Sequence, residues 1–277
     1  MWGYIGHDGT LIVQPRFESA GDFHSGMGAV QSQGKFGYID QQGNLAILPM
    51  YDGAGDFGDG LAPVRVGRKW GYINERNEIV IDCQFDSASP FSDGRAQVVS
   101  GQSYGYIDTA GRMVLAAKAG PVASYFSEGA APTNISGKVG FMDRDGSVCI
   151  PPKFDAAWPF KEGLAPVKVG RSWGFTNRSG IVVIEPKFAA ADQFSEGLSA
   201  VLIPALLPPP TWGYINKAGD VVLGPGYRWA GRFSEGLAPI EVGNKYGFID
   251  RSGRVSISPQ FADAGSFYDG LARVKIL

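Results

Sequence analysis

An aromatic residue followed by glycine recurs along the chain at a nearly constant interval, and this repeat constrains the fold more than any other feature. The successive steps are 34, 34, 34, 35, 34, 39 and 34 residues. The residue before the glycine is aromatic in seven cases and valine in one: Trp2, Phe36, Trp70, Tyr104, Val139, Trp173, Trp212 and Tyr246. A second marker, Phe-x-x-Gly, keeps the same interval and begins at Phe23, Phe57, Phe91, Phe126, Phe160, Phe194, Phe233 and Phe267. Two markers kept in step eight times define eight repeats, numbered 1 to 8 from Trp2 onwards.

Each repeat of about 34 residues predicts three short β-strands. In repeat 3, the clearest copy, the strands cover residues 70–73, 78–81 and 96–99. These stretches are rich in β-branched and aromatic residues and are too short for helices. No window shows an apolar stripe with the 3.6-residue period of a helix. The sequence therefore predicts an all-β chain of eight repeats, each with three short antiparallel strands.

Glycine makes up 40 of the 277 residues, and most glycines fall at repeated turn positions. Asp/Asn-x-x-Gly separates the first and second strands, as from Asp40 to Gly43, and predicts a type I turn followed by a glycine bulge. In repeat 3, Asn77 replaces the glycine, and asparagine is the next best residue for a positive φ. The glycine of the aromatic-Gly pair lies inside a strand instead, so we expect a neighbouring backbone or ring to approach it closely.

A Pro-x-Phe motif follows the second strand in several repeats, as at Pro15, Pro152, Pro186 and Pro259. Proline donates no hydrogen bond to a strand ladder. We therefore expect this proline to end the second strand and to begin a long connection through Phe-x-x-Gly.

These motifs resemble the WG-repeat (KWG) family of bacterial proteins. The family's unit runs approximately Lys-Trp-Gly-Tyr/Phe-Ile-Asp, a glycine turn, Val-Ile-x-Pro-x-Phe/Tyr-Asp and Phe-x-Glu-Gly-Leu-Ala-x-Val. The match covers essentially the whole chain, and repeat 4 departs most because residues 117–122 contain no Pro-x-Phe. The resemblance implies a binding or interaction module, often at or beyond the bacterial envelope, and it supplies no catalytic residues and no agreed ligand.

The ends of the sequence indicate how the repeats close. The chain starts on a first strand at Trp2 and stops on a third strand, Leu271 to Leu277. Pairing these two strands would complete the first repeat and remove both exposed edges. We therefore predict one repeat domain over residues 1–277, closed into a propeller-like ring of eight blades. An open β-superhelix, or solenoid, is the alternative.

Composition excludes several classes of function. With 25 basic and 27 acidic side chains the net charge is −2, which argues against nucleic-acid binding. No apolar run reaches the ~20 residues of a membrane span, and no signal peptide is visible.

The sequence contains two histidines, His7 and His24, and we expect both to lie at the surface without a catalytic role. Catalytic and metal sites commonly use histidine, so we expect no enzyme, no metal and no cofactor. Cys83 and Cys149 are expected to be free thiols, which fits the cytoplasm, whereas the family resemblance also allows the envelope or secretion.

An acidic residue precedes the glycine of Phe-x-x-Gly in seven repeats. In a closed ring these carboxylates would lie at one radius and could attract cations or basic segments, or they could make a local turn contact. They are Asp59, Asp93, Glu128, Glu162, Glu196, Glu235 and Asp269.

Departures from the repeat are the better candidates for a binding site, because scaffold residues recur and site residues need not. Between repeats 6 and 7 a stiff proline-rich loop replaces a short turn and could dock a partner or cover an apolar edge. Trp158 and Trp229 are extra tryptophans that could anchor a protein, stack on sugars or plug the ring. The loop positions proposed for binding are Pro204, Leu206, Leu207, Pro208, Pro209 and Pro210. We expect a monomeric scaffold for a protein partner, with a glycan or cell-wall binder as the alternative.

Overall fold

The computed structural model describes residues 1–118, 125–204 and 209–276. Contacts within the chain group into two compact units, Met1–Gly120 with Phe267–Ile276 and Pro121–Ser266. The strands of the first unit are β1 (Trp2–Ile5), β2 (Leu11–Phe17), β3 (Ser19–His24), β4 (Met27–Ser32), β5 (Lys35–Asp40), β6 (Leu45–Tyr51), β7 (Gly53–Ala54), β8 (Leu61–Val66), β9 (Lys69–Asn74), β10 (Ile79–Phe85), β11 (Ser87–Ala88), β12 (Ala96–Ser100), β13 (Ser103–Ile107), β14 (Met113–Lys118) and β31 (Ala272–Lys275).

The strands of the second unit are β15 (Ala130–Ile135), β16 (Lys138–Asp143), β17 (Val148–Phe154), β18 (Ala156–Ala157), β19 (Leu164–Val169), β20 (Ser172–Asn177), β21 (Val182–Phe188), β22 (Ala190–Ala191), β23 (Ser199–Ile203), β24 (Thr211–Ile215), β25 (Val221–Tyr227), β26 (Trp229–Ala230), β27 (Leu237–Val242), β28 (Lys245–Asp250), β29 (Val255–Phe261) and β30 (Asp263–Ala264). None of the described residues forms a helix of the length and apolar character needed to cross a membrane.

Within the described residues the strands form eight small antiparallel sheets, and this confirms the predicted all-β, eight-bladed propeller. The sheets run in chain order, for example β3-β4-β5-β6 and β7-β8-β9-β10. Each sheet joins the third strand of one repeat to the first and second strands of the next. A tight turn connects the third strand of one repeat to the first strand of the next. For example, Val66 pairs with Lys69, so the turn between them contains two residues.

A fourth short strand, not predicted from the sequence, lies in the long connection of most repeats. It is usually two residues long, as in β7, which pairs Gly53 with Arg65 and Ala54 with Val64 of β8. Two residues carry too little alternation for a strand to be recognised from its pattern. The connection thus adds a strand to the sheet that follows it.

The C-terminal strand completes the sheet of repeat 1. In this antiparallel pairing Trp2 lies opposite Lys275, and Ile5 lies opposite Ala272. This confirms the predicted pairing of the last strand with the first. The open β-superhelix would leave both strands without this partner, so the pairing excludes that alternative. A single domain over residues 1–277 stays a prediction.

The proline of Pro-x-Phe does not end the second strand, and this expectation was wrong. Pro15, Pro152, Pro186 and Pro259 all lie inside strands that continue to the following phenylalanine. The strand accommodates proline because the register shifts at that point, so that extra residues bulge out opposite the glycine of the first strand.

The bulge explains the glycine of the aromatic-Gly pair. A Cβ on Gly174 would lie 2.4 Å from the carbonyl oxygen of Ile184 and 2.7 Å from the nitrogen of Pro186. Equivalent contacts occur at Gly37, Gly71 and Gly140. The predicted close approach is therefore confirmed, and the approaching group is backbone.

The predicted turn after the first strand is also confirmed. Gly43 has a φ of 83° and its N–H donates to the carbonyl oxygen of Asp40 at 2.9 Å. The Asp40 carboxylate accepts the backbone N–H groups of Gln42 and Asn44. Asn77, which replaces the glycine in repeat 3, has a φ of 63°.

The cores lie between neighbouring sheets of each compact unit. One cluster joins Tyr38, Ile47 and Tyr51 of the sheet β3–β6 to Phe57 and Ile73 of the next sheet and its connection. The phenylalanine of Phe-x-x-Gly is buried in each repeat, and Phe57 packs against Tyr38 with ring centroids 5.0 Å apart. Burial of these rings is the main source of stability between sheets.

We predict that Gly174→Ala destabilises the protein by about 3 kcal/mol, because the added methyl group meets backbone on a buried, paired strand. The matched control is Gly226→Ala, since a Cβ at Gly226 would meet nothing within 4 Å. It should change the free energy of unfolding by less than about 0.5 kcal/mol. Urea denaturation of both variants measures the difference, and equal stabilities would contradict the close-approach account.

Candidate functional site

A constant backbone frame presents variable side chains just before the phenylalanine of Phe-x-x-Gly. In several of the described repeats the second residue before this phenylalanine donates its N–H to the third strand that follows, as from Gly55 to Pro63 and from Trp158 to Pro166 at 2.9 and 3.0 Å. We call the two residues before the phenylalanine the pre-Phe pair. In repeat order the pairs are Gly21-Asp22, Gly55-Asp56, Ser89-Pro90, Ser124-Tyr125, Trp158-Pro159, Asp192-Gln193, Gly231-Arg232 and Gly265-Ser266.

Buried tyrosines of the first strands help to hold this frame. The phenol of Tyr38 donates to the carbonyl oxygen of Gly55 at 2.8 Å, and that of Tyr214 donates to Gly231 at 2.8 Å. Burial raises the pKa of both phenols far above the usual value, so they remain protonated donors. The pre-Phe residues that accept these bonds are thereby held in place, while their side chains differ between repeats.

In the first compact unit, two pre-Phe carboxylates lie near His24 and Arg273. The Nε of Arg273 donates to Oδ1 of Asp22 at 2.6 Å. The Oδ2 of Asp56 lies 3.9 Å from Nε2 of His24, and both side chains are partly exposed. Burial, reinforced by the negative charge of Asp22, raises the pKa of Asp56, although His24 and Arg273 act in the opposite direction. Asp22 thus has a close arginine partner, whereas the imidazole of His24 lies farther from Asp56.

In the second compact unit, the pre-Phe residues form an ion pair and a buried amide network. Arg232 donates to Oδ1 of Asp192 through Nε at 2.9 Å and through Nη2 at 2.6 Å. Gln193 is 1% exposed, accepts the Tyr125 hydroxyl at 2.9 Å and donates to the carbonyl oxygen of Pro159 at 2.8 Å. These bonds fix the backbone beside Trp158.

Trp158 differs from the small or polar residues that hold its position in the other pairs. Its side chain is 49% exposed. One side faces Trp173, with ring centroids 6.4 Å apart and planes inclined by 15°. The repeat thus presents a large apolar ring on a frame that is already fixed by hydrogen bonds.

Trp229 lies in a more enclosed setting. It is half-buried in β26, and its ring centroid lies 5.7 Å from that of Tyr246. A Cβ on Gly231 would come within 2.7 Å of the Trp229 ring, so the indole packs over this glycine. Trp229 therefore offers less free surface than Trp158.

The seven predicted acidic positions all have a positive φ, between 48° and 60°, and each is followed by a glycine with positive φ. They are the central residues of tight turns. Several carboxylates accept the N–H of the turn glycine in the next repeat, as from Gly94 to Asp59 at 2.7 Å and from Gly26 to Asp269 at 2.8 Å. Glu162 also pairs with Lys217 at 3.0 Å. These contacts join adjacent sheets, whereas attraction of external cations stays a prediction.

The proline-rich insertion lies at a tight turn between a third and a first strand. Ile203 pairs with Thr211, so seven residues replace the usual two. Pro204, Pro209 and Pro210 lie at the ends of this insertion, and Leu206, Leu207 and Pro208 lie outside the described residues. Both cysteines are free, as predicted.

Sequence reasoning missed the charged pre-Phe residues and treated His24 as incidental. The available signal was the contrast between repeats, since Asp22, Asp56 and Arg232 stand where other repeats place proline, serine or glutamine. Their partners could not be read from one repeat, because Arg273 and Asp22 are 251 residues apart. In the parts of the chain that are described, no group of three or more His, Cys, Asp or Glu side chains could hold a metal ion.

The fold and these positions define a repeat β-propeller, a class that generally provides scaffolds for protein interactions. The family of the WG containing repeat matches residues 2–36, 36–70, 70–102, 140–171, 173–203, 212–246 and 246–276. The chain therefore belongs to the WG-repeat family. The unmatched stretch between residues 102 and 140 contains repeat 4, which departs most from the family pattern.

Solved structures with similar folds have very different sequences. A eukaryotic initiation factor is 10% identical with a TM-score of 0.59, and the alignment covers 95% of this chain and 86% of that one. Hsv2 of Kluyveromyces lactis is 9% identical with a TM-score of 0.53, covering 94% and 100%. A puromycin hydrolase is 10% identical with a TM-score of 0.50, covering 89% and 54%. At this identity the likeness shows the fold alone. No curated protein matches the chain.

We predict that Asp56→Asn makes the protein more stable than the wild type at about pH 7.5. The raised pKa of Asp56 means that the folded state binds this proton more tightly, so stability falls as pH rises through the folded pKa. Asparagine does not ionise, so the variant does not lose stability in this way. Its greater stability relative to the wild type should become smaller at about pH 3.5. Urea denaturation at both pH values measures the difference.

The matched control is Asp86→Asn. A hydrogen bond from Lys69, together with the N–H of Gly101, lowers the pKa of Asp86. Its stabilising effect is present at neutral pH and is lost as pH falls through the folded pKa. This variant should therefore be less stable than the wild type at neutral pH. If both variants changed the free energy of unfolding in the same direction, the opposite pKa shifts of Asp56 and Asp86 would be contradicted.

Proposed function

We propose that the protein is a bacterial, non-enzymatic interaction scaffold that binds a protein partner through its pre-Phe residues, with Trp158 as the anchor. The observation that carries this proposal is the 49% exposure of the Trp158 side chain on a backbone frame where other repeats place glycine, serine or aspartate. A repeat does not need this ring to fold, because the other repeats fold without it. Its exposure is therefore best explained by a contact outside the chain.

The surroundings of Trp158 suit an interface anchor. Its backbone is fixed by the bond to Pro166, and the neighbouring Pro159 carbonyl is held by the buried Gln193. An exposed tryptophan on rigid backbone loses little conformational entropy on binding, and such residues commonly contribute about 2 kcal/mol or more. Asp192 and Arg232 form an ion pair and belong to the pre-Phe pairs of the next two repeats, where they add charged groups.

The proline-rich insertion is proposed as a second contact. Residues 204–210 replace a two-residue turn, and the flanking Ile203 and Thr211 remain paired. Since the flanking strands keep their pairing, we assign the extra residues a role in recognition. A proline-rich apolar segment has little entropy to lose when it docks.

The absence of catalysis is part of this proposal. Asp22 and Asp192 are held as ion pairs with Arg273 and Arg232 at 2.6 Å. Each of these carboxylates already accepts hydrogen bonds from an arginine, so these two residues suit a structural or binding role better than general acid catalysis.

We predict that Trp158→Ser lowers affinity for the protein partner about 30-fold, the loss expected from about 2 kcal/mol. Serine occupies the equivalent position at Ser89, so the variant should keep the wild-type fold. The measurement is quantitative pull-down followed by titration of the recovered partner. Ile181→Ser is the control, because Ile181 is 61% exposed at a turn in the same compact unit. Equal loss in both variants, or no loss for Trp158→Ser, would refute the anchor.

A second variant tests the insertion separately. Replacing residues 204–210 with Asn-Gly restores the two-residue turn found between Val66 and Lys69. We expect a folded protein with weaker partner binding. Unchanged affinity would remove the loop from the proposed interface without affecting the role of Trp158.

A glycan or cell-wall polymer is the second candidate ligand. It is favoured by the near-parallel arrangement of Trp158 and Trp173, because sugar rings stack on exposed aromatic faces. Titration of cell-wall oligosaccharides should then shift the tryptophan fluorescence of the wild type and leave Trp158→Ser unchanged. A flat titration with every sugar would exclude this alternative.

A further inference from the structure

A groove of about 490 Å³ lies within the first compact unit, between β2 and the sheet β3–β6. Three segments line it, namely the end of β2, the end of β4 and the turn that leads from β5 into β6. The lining residues are Arg16, Phe17, Ser32, Gly43, Asn44 and Leu45. Sites for small molecules commonly have volumes of roughly 300–1,000 Å³, so the groove is large enough for a ligand.

Arg16 uses only part of its hydrogen-bonding capacity within the fold. Its Nη2 donates to the carbonyl oxygen of Gly43 at 2.6 Å, and its guanidinium lies over the Phe17 ring, 5.1 Å from the ring centroid. Among the described residues, no acceptor is hydrogen-bonded to its Nε or Nη1. The two contacts therefore hold the guanidinium in place and leave N–H donors for a ligand.

The fold requires only one cationic donor at this strand position. Lys153 donates from Nζ to the carbonyl oxygen of Gly180 at 2.8 Å and lies over the Phe154 ring at 5.3 Å. Lys187 makes the equivalent pair of contacts in the next repeat. Since lysine fulfils the structural role in those repeats, the additional N–H groups of Arg16 are not needed for the fold.

Ser32 adds a hydroxyl to the same groove. It is the last residue of β4 and is half-buried, and its hydroxyl has no hydrogen-bond partner among the residues that the structure describes. Where serine recurs at the equivalent position, as Ser100, the second strand beside it carries Gln84 instead of a cation. Five other repeats have an apolar residue there: Val66, Ile135, Val169, Ile203 and Val242. In the sequence, only this junction between repeats combines a cationic residue with a hydroxyl at these two positions.

The remaining walls of the groove indicate the class of ligand. Leu45 is exposed and apolar, and the Asn44 amide is already turned towards Asp40, to which its Nδ2 donates. A planar carboxylate matches the parallel N–H groups of a guanidinium. One arginine balances the single charge of a carboxylate, whereas a phosphate carries up to about two charges and offers nothing apolar to Leu45.

We propose that this groove binds the carboxylate of a ligand that also has a small apolar body. Arg16 binds the carboxylate, Ser32 donates its hydroxyl to a carboxylate oxygen, and the apolar body packs against Leu45. A free carboxylic acid and the C-terminus of a peptide both carry this chemistry. The site is separate from the proposed partner contact at Trp158, and its test does not depend on that contact.

The probe is N-acetyl-leucine, titrated into the full chain while the NMR signals of the Arg16 Nε–H and the Ser32 backbone N–H are recorded. We expect both signals to shift and to saturate with a Kd of about 1 mM, as for one ion pair and one small apolar contact. N-acetyl-leucine amide, which has no carboxylate, should bind at least about tenfold more weakly. Shifts of neither signal, or equal binding of the amide or of inorganic phosphate, would overturn the proposal.

Two variants test the donors of the groove. Arg16→Lys should weaken binding of N-acetyl-leucine at least about tenfold and leave the free energy of unfolding unchanged, because Lys153 makes the same structural contacts. Ser32→Val should weaken it about threefold through the lost hydroxyl, and valine already occupies this position in other repeats. Unchanged affinity of either variant would overturn the assignment.

Ser100→Val is the matched control, since it makes the same substitution at the equivalent position beside Gln84. It should bind N-acetyl-leucine like the wild type, and so should Trp158→Ser. Loss of binding in Ser100→Val equal to that in Ser32→Val would contradict the site. Circular dichroism confirms that each variant is folded.

A short peptide that ends in leucine distinguishes the two sources of the carboxylate. It should bind more tightly than N-acetyl-leucine if the natural ligand is a peptide C-terminus, because further residues then contact the protein. Weaker binding of the peptide would assign the groove to a free carboxylic acid. In both cases Arg16→Lys should reduce the affinity, and a peptide that binds this variant as well as the wild type would count against the site.

Discussion

The antiparallel pairing of β31 with β1 is the interaction on which the arrangement of the first compact unit depends. It joins residues about 270 positions apart, and closing so long a loop costs about 5 kcal/mol of chain entropy before any contact is gained. The pairing brings Arg273 to Asp22 and Asp269 to Gly26. It therefore builds both a joint between repeats and part of the candidate site.

Local rules repeated along the chain supply the remaining geometry. The glycine after each aromatic residue admits a bulged neighbouring strand, and the acidic turn residue accepts an N–H from the next repeat. A non-glycine residue with positive φ is strained by about 1 kcal/mol or more, and the bond to the next glycine offsets that strain. Trp158 departs from these rules, and its exposed ring is the contact surface that we propose for a partner.

Much of the fold was predictable because it rests on residues that recur. The eight repeats, the glycine and Asn77 turns and the closing strand all followed from spacing and residue type. The two-residue strand is too short to show a period, and the bulge that allows Pro15 to lie inside a strand leaves no signal in the sequence. The partners of Asp22 and Asp56 depend on tertiary contacts, although their departure from the repeat was visible.

Amide hydrogen exchange of Ala272–Lys275 tests the account most directly, since every relation between the ends of the chain depends on this strand. The account predicts protection similar to that of β8, the third strand of another sheet. Exchange of these amides at the rate of an unstructured C-terminus would contradict the closed propeller.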